Sequence, residues 1–240
     1  AGTEVSKEAA TMVLTDDNFA TIVAAVEEGR TIYANIVKFV RYQLSTNFGA
    51  LLTVFAATVI GLAPPFTPLQ LLWVNVIMDG PPAMALGLDP ATRGRMHERP
   101  RPADTAILSM RRLAILFYLG TLMTVGTLGV FIWAGASGPP ERAATMAFTT
   151  FVLFQVCNAL NARSERRSIF AKDTVANPML LLSFTVVVAL QAIAVHWPPA
   201  QPVMRTVALA PADWMVCGTV ATGIVVFEET RKFIQRALSH

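Results

Sequence analysis

Charge is scarce in this chain. Only 15% of its 240 residues are charged, while 54% are apolar; a soluble domain carries nearer 25% charge. The mean hydropathy is +0.51. A membrane protein is therefore the first reading, ahead of a soluble protein with a large core. Cysteine is nearly absent too. Cys157 and Cys217 both sit in apolar runs, so buried thiols are expected rather than a disulfide framework or a metal site. There is no G-x-x-x-x-G-K-[ST] loop, no Rossmann glycine pattern and no D-K-T-G-T run, so nothing in the chain binds or cleaves ATP on its face. No CPC-type motif marks a soft-metal site, and Met78 and Met84 read as packing. The first 30 residues lack a basic region followed by an apolar run. No signal peptide is expected, and a start at Ala1 reads as the interior of something longer.

What is present is a series of six apolar runs, at about 42–63, 69–88, 113–134, 145–160, 179–197 and 211–230, the last apolar as far as 227. Six spans of roughly 20 residues fit this length. The fourth and sixth are short and need flanking residues or tilted neighbours to cross. The connectors alternate in charge. Counted from an inside start, one set holds 17 of the 19 Lys and Arg, and the other holds only Arg142 and Arg205. That asymmetry puts both chain ends in the cytoplasm. It also accounts for the net charge of +3 through topology and anionic lipid, with no nucleic acid required. The fold class expected is an all-α polytopic membrane protein with six transmembrane helices.

Acidic residues avoid the runs. Of 16 Asp and Glu, only Asp79 lies well inside one. A carboxylate at a helix centre costs about 2.5–3.5 kcal/mol on insertion scales, so such a residue is a functional-site hypothesis by default. Its surroundings, "LLWVNVIMDGPPAMALG", add Asn75 and the pair Pro81-Pro82. Asn75 and Asp79 are four apart and share a helix face. The prolines lack N–H groups, so carbonyls near Ile77 and Met78 should lose helical partners. Side-chain oxygens, a carboxylate and freed carbonyls suit a hard cation, and calcium takes 6–8 oxygens. One helix cannot supply them all. Broken helices around a midplane ion site are a recurring transporter device. The alternative is that Asp79 only pairs with another helix or stays protonated. Asn47, beside Ser45, Thr46 and Gly49, is either an oxygen donor to the site or helix–helix glue, and Gln155 and Asn158 carry the same ambiguity. Trp197 and Trp214 read as interfacial anchors.

Ahead of the first run, Met12–Leu14 looks like a short strand. Asp16, Asp17 and Asn18 follow as N-cap residues. A helical pattern then continues without proline from Phe19 to Ala63, with Gly29 and Gly49 tolerated inside it. A helix of that length would join a cytoplasmic domain to the membrane and transmit movement.

These stretches together resemble a known family. "GTEVSKEAATMVLTDDNFATIV" looks like the end of the phosphorylation domain of P-type ATPases. "LLWVNVIMDGPPAMALGLDP" is similar to their sixth transmembrane helix in the calcium-pump branch, and "QVCNALNARSERRSIF" to the eighth helix and its following loop. The seventh, ninth and tenth spans match in hydropathy only. The resemblance implies that residues 1–30 are the remnant of a cytoplasmic α/β domain with its stalk, and 31–240 a C-terminal cation-transporter domain. It implies missing partners: the actuator, nucleotide-binding and phosphorylation domains, and four earlier helices, the fourth of which supplies a glutamate to the ion site. Mg-ATP would bind in those parts, not here. Asn75 and Asp79 fall on calcium ligands of the sixth helix, and Asn47 on a ligand position of the fifth. Two-ion relatives carry a glutamate, a threonine and a glutamate where this chain has Ala50, Met78 and Gln155, so the resemblance implies one ion. Secretory calcium/manganese pumps have a glutamine where Met84 stands. Sodium or proton pumping stays open. The rival expectation is a non-catalytic six-helix module or half of a secondary transporter. The 15 Arg against 4 Lys, with much Ala and Val, suggest a bacterial plasma membrane.

Overall fold

The computed structural model describes residues 3–15, 18–90, 96, 107–164, 169 and 177–238. It is built from helices: α1 (Glu4–Ala9), α2 (Phe19–Val59), α3 (Pro68–Trp73), a π-helical turn (Val74–Met78), α4 (Gly80–Gly87), α5 (Met110–Ser137), α6 (Pro140–Ala162), α7 (Pro178–His196), α8 (Ala200–Met204) and α9 (Pro211–Ala237). No strand occurs among the described residues. Met12–Leu14, expected as a strand, is irregular, because no second strand lies among those residues to pair with it and an isolated strand is not stable in water. Asp16 and Asp17 lie outside the described residues. The helix start falls to Asn18, whose side chain accepts the Ala20 N–H at 3.0 Å.

α2 runs unbroken for 41 residues. It stops four residues before Ala63 because Gly61 adopts φ +77°. The Gly61 N–H then reaches the Thr58 carbonyl at 3.1 Å and the Leu62 N–H the Ala57 carbonyl at 2.9 Å, a Schellman closure that fixes the helix end. α3 starts with equal definition. Thr67 caps Gln70, Gln70 answers on the Thr67 N–H, and Pro68 occupies the first turn. The Gln70 amide also donates to the Met204 carbonyl at 2.8 Å, fastening this start to α8.

α6 is the hub. It touches α2, α4, α5, α7, α9 and the π turn, and 72% of its apolar window is buried. That position explains why its run looks short in the sequence. Thr145, Thr149, Thr150, Gln155, Asn158 and Asn161 are all buried on it, where they meet protein rather than lipid. α2 and α5 approach closely through glycines. A Cβ on Gly120 would fall 2.5 Å from Phe48 Cδ1 and 3.2 Å from the Gly49 nitrogen. Thr124 on α5 reaches the Gly49 carbonyl at 3.3 Å and Thr53 at 3.2 Å. At the far end of the bundle Arg142 pairs with Asp213, which also accepts the Ala210 N–H at 3.1 Å, so the starts of α6 and α9 are tied together.

α5, α6 and α7 are long and apolar enough to cross a membrane. The other expected spans fall short for visible reasons. The second is divided into pieces of 6, 5 and 8 residues. α2 carries Gln43, Ser45, Thr46 and Asn47 together, and α9 carries Asp213 at one end and Glu228–Lys232 at the other. The basic residues 93, 95, 99, 101, 166, 167 and 172 that entered the charge count lie outside the described residues. Met84 does not pack as expected. It is 71% exposed. Cys217 is buried, Cys157 only partly, and both are free thiols.

Candidate functional site

The second apolar run breaks, but not where the prolines suggested. The break is the π turn at Val74–Met78, ahead of them, with the Asp79 N–H bonding back five residues to the Val74 carbonyl at 2.9 Å. Pro81 and Pro82 sit in the first turn of α4, where a missing N–H is tolerated. They still leave the Ile77 and Met78 carbonyls without the donors that positions 81 and 82 would ordinarily supply. The π turn also separates the two candidate ligands. Asp79 is buried at 1% exposure, while Asn75 is exposed.

Asp79 faces α2. Tyr42 Oη donates to its Oδ1 and Gln43 Nε2 to its Oδ2, each at 3.3 Å. Both donors are neutral, and both bonds are at the long end of the range. An ionised carboxylate accepts about four hydrogen bonds, so capacity remains on both oxygens. Among the described residues no group of three or more His, Cys, Asp or Glu gathers to hold a metal. The side chains that bond Asp79 are one phenol, Tyr42, and one amide, Gln43.

Next to it opens a groove of about 550 Å³ between α2 and the α3–π segment. Its lining joins polar Gln43, Asn47 and Asn75 to apolar Ala50, Leu51, Val54 and Leu71. Asn47 from α2 and Asn75 from the π turn thus line the same groove, and Gln43, which also lines it, reaches Asp79. Asn158 goes elsewhere. Its amide donates to Ser45 Oγ at 2.7 Å, and Ser45 and Thr46 both return to the Tyr42 carbonyl at 2.9 Å. Asn158 therefore glues α6 to α2 at the turn that carries Tyr42. Gln155 is fully buried, and neither polar atom of its amide has a hydrogen-bond partner among the described residues. Ala50 and Met78 belong to the apolar core that includes Val74, Met123, Phe148 and Phe151.

Two features escaped sequence reasoning. Tyr42 and Gln43 open the first apolar run, where polar residues look like its edge. Asp89, counted only as a connector acid, is the centre of an ionic cluster. It receives Lys38 Nζ at 2.6 Å, Arg163 Nη2 at 2.9 Å and Asn177 Nδ2 at 2.8 Å. Burial pushes its carboxyl up. The hydrogen bonds from Arg163 and then Lys38 more than offset that, and the group sits below the usual carboxylate range.

Residues 63–234 match the family model described as Cation transporting ATPase, C-terminus. The chain belongs to this cation-transporting ATPase family. It is 37% identical over 99% of its length to "Calcium-transporting ATPase 1" of Yarrowia lipolytica, covering 26% of that protein. It is 39% identical over 99% of its length to "Calcium-transporting ATPase type 2C member 2" of Mus musculus, covering 25%. Against the "Calcium-transporting ATPase" of Bacillus subtilis it is 40% identical over 90% of its length, covering 24%. The chain thus spans about a quarter of the length of these relatives. As a family member with apolar helices of membrane-crossing length, it is an integral, multi-pass membrane protein.

Proposed function

We propose that this chain is the membrane portion of an ATP-driven P-type pump that exports calcium from the cytoplasm, one ion per cycle. Asp79 and Asn75 of the broken helix and Asn47 of α2 are its ligands in the chain. The observation that carries the reading is the single buried carboxylate beside the π turn, held by long neutral hydrogen bonds next to a polar-walled groove, in a chain whose relatives bear the name calcium-transporting ATPase. A divalent cation can displace these two donors at modest cost, because a bond to a carboxylate contributes only about 1.5–3 kcal/mol net at normal length and both are stretched to 3.3 Å. The carboxylate oxygens become ligands in return.

The open side of the groove is where further oxygens enter, including the carboxylate of the fourth helix. Mg-ATP and the phosphorylated aspartate belong to the parts outside this chain, with residues 1–30 the end of the phosphorylation domain and the stalk. α2 couples phosphorylation to the site. The chain crosses the membrane six times with both ends in the cytoplasm, in a bacterial plasma membrane. One ion rather than two is supported by the burial of Ala50 and Met78 in apolar core and by Gln155 standing as an amide. No carboxylate remains among those positions for a second site.

Asp79→Asn in the full-length pump is expected to abolish calcium-dependent phosphorylation by ATP. Retained phosphorylation with normal calcium dependence would sink the assignment. Competition by manganese, sodium and pH in the same assay distinguishes calcium pumping from transport of those ions. A chain that is never phosphorylated in any cation belongs to the non-catalytic alternative.

A further inference from the structure

α4 runs between two buried carboxylates, Asp79 at 1% and Asp89 at 5% exposure, and α2 grips both. At one end the grip is Tyr42 and Gln43 on Asp79. At the other it is Lys38 on the Asp89 carboxylate at 2.6 Å, with Asn35 Nδ2 on the Asp89 carbonyl at 2.7 Å and on the Gly87 carbonyl at 3.2 Å. Asn35 Oδ1 also takes a hydrogen bond from Lys38 at 2.9 Å. The spacing matches. From Asn35 to Gln43 is about 12 Å along α2, and α4 from Gly80 to Gly87 covers about the same rise. The order is antiparallel, with the later α2 residues meeting the earlier carboxylate.

The two grips differ in strength. The Asp89 grip uses cations and short bonds, and it draws in two more elements. Arg163 at the end of α6 donates to Asp89 Oδ1 at 2.9 Å and to Oδ2 at 3.3 Å. Asn177 at the start of α7 donates to Oδ1 at 2.8 Å and to the Ala85 carbonyl at 3.0 Å. Every acceptor on this carboxylate is charge-assisted or amide-paired, which makes a buried ionic cluster rigid rather than costly.

We propose that Asp89 is a positioning residue for transport: it fixes the far end of α4 to α2, so that movement of α2 carries Asp79 with it. The proposal rests on the reading of Asp79 as an ion ligand. A strong anchor at one end and exchangeable bonds at the other let α4 follow α2 while Asp79 trades its donors for a cation. The anchor stays charged throughout the neutral range, because its carboxyl is held below the usual carboxylate range, so it acts as a fixture and not as a pH switch.

The test uses the full-length pump in sealed vesicles, with calcium as the probe. Asp89→Asn is expected to raise the calcium concentration for half-maximal ATP hydrolysis roughly tenfold, within the usual range of coupling between sites. It should also lower calcium transported per ATP while leaving the rate at saturating calcium within about twofold. Asp89→Glu should recover part of both. Asn177→Ala, which leaves both cations in place, should shift them in the same direction by less. A purely structural residue would reduce the amount of pump and its maximal rate without moving half-saturation or the transport ratio. Wild-type half-saturation and ratio in Asp89→Asn overturn the proposal. If that variant does not fold, wild-type values in both Asn177→Ala and Asp89→Glu overturn it. Asp79→Asn run in parallel separates the two failures: if it keeps calcium dependence, the site reading falls, whereas if it is dead and Asp89→Asn is normal, only the anchor falls.

Discussion

Two aspartates ten positions apart flank one short helix and live in opposite electrostatic conditions. Asp79 is enclosed by apolar core and two neutral donors at 3.3 Å. Asp89 is enclosed by Lys38, Arg163 and Asn177 at 2.6–2.9 Å. Burial alone does not say what a carboxylate is for, since both are buried. The partners decide. A carboxylate held by two cations is fixed in place, and one left with long bonds to neutral donors keeps room on its oxygens for another partner.

Four experiments break or sharpen this contrast, in falling order of effect. The largest is on Asp79: Asp79→Asn should remove calcium-dependent phosphorylation altogether while leaving the folded pump intact, as judged by its thermal unfolding in detergent. Unfolding together with loss of activity would mean that Asp79, like Asp89, holds the fold.

Next comes Lys38→Met, which strips one cation from the Asp89 cluster. Breaking a buried pair from one side costs about 3 kcal/mol or somewhat more, so the melting temperature should fall clearly. A melting temperature equal to that of the parent would show that Arg163 alone suffices.

Gln43→Leu takes away a single neutral bond to Asp79. Stability should change by about 1.5 kcal/mol, the low end for a bond to a carboxylate because this one is long, while half-saturation by calcium moves. The reverse pattern, a large loss of stability with unchanged calcium dependence, would make the two aspartates alike.

The smallest effect is with pH. The folded-state pKa of Asp89 is depressed, so its contribution is present above the unfolded value and is lost as the pH falls through the folded one. Below about pH 4, the ordinary carboxylate range, the parent should lose thermal stability more steeply than Asp89→Asn does. Parallel curves for the two proteins between pH 5 and pH 3 would remove the charge from the account.

Much of this was legible in the chain. The runs at 113–134 and 145–160 fall inside α5 and α6, and the run at 179–197 matches α7 to within one residue at its end, because a long apolar stretch without proline has few other options. The 41-residue α2 followed from the same absence of proline and from Asn18 as a cap. Asp79 stood out by its cost. The π turn did not, since prolines announce a break but not which bond gives way, and here the hydrogen-bond register changes at Val74–Met78, before the prolines. Nor did the partners of Asp89. Residues 38, 163 and 177 are distant in sequence, and each looked like a connector or edge residue when read alone.

By itself, then, the sequence determined a helical membrane protein with one anomalous carboxylate, because hydropathy, proline placement and the cost of burying charge are local properties. Only the tertiary structure decided that Asn75 and Asn47 share a groove while Asp79 lies behind them, that Gln43 joins the two, and that a second aspartate anchors the same helix. Those are facts about which helix faces meet. They follow from the packing of α2 against α4 and α6, which no periodicity within a single helix records.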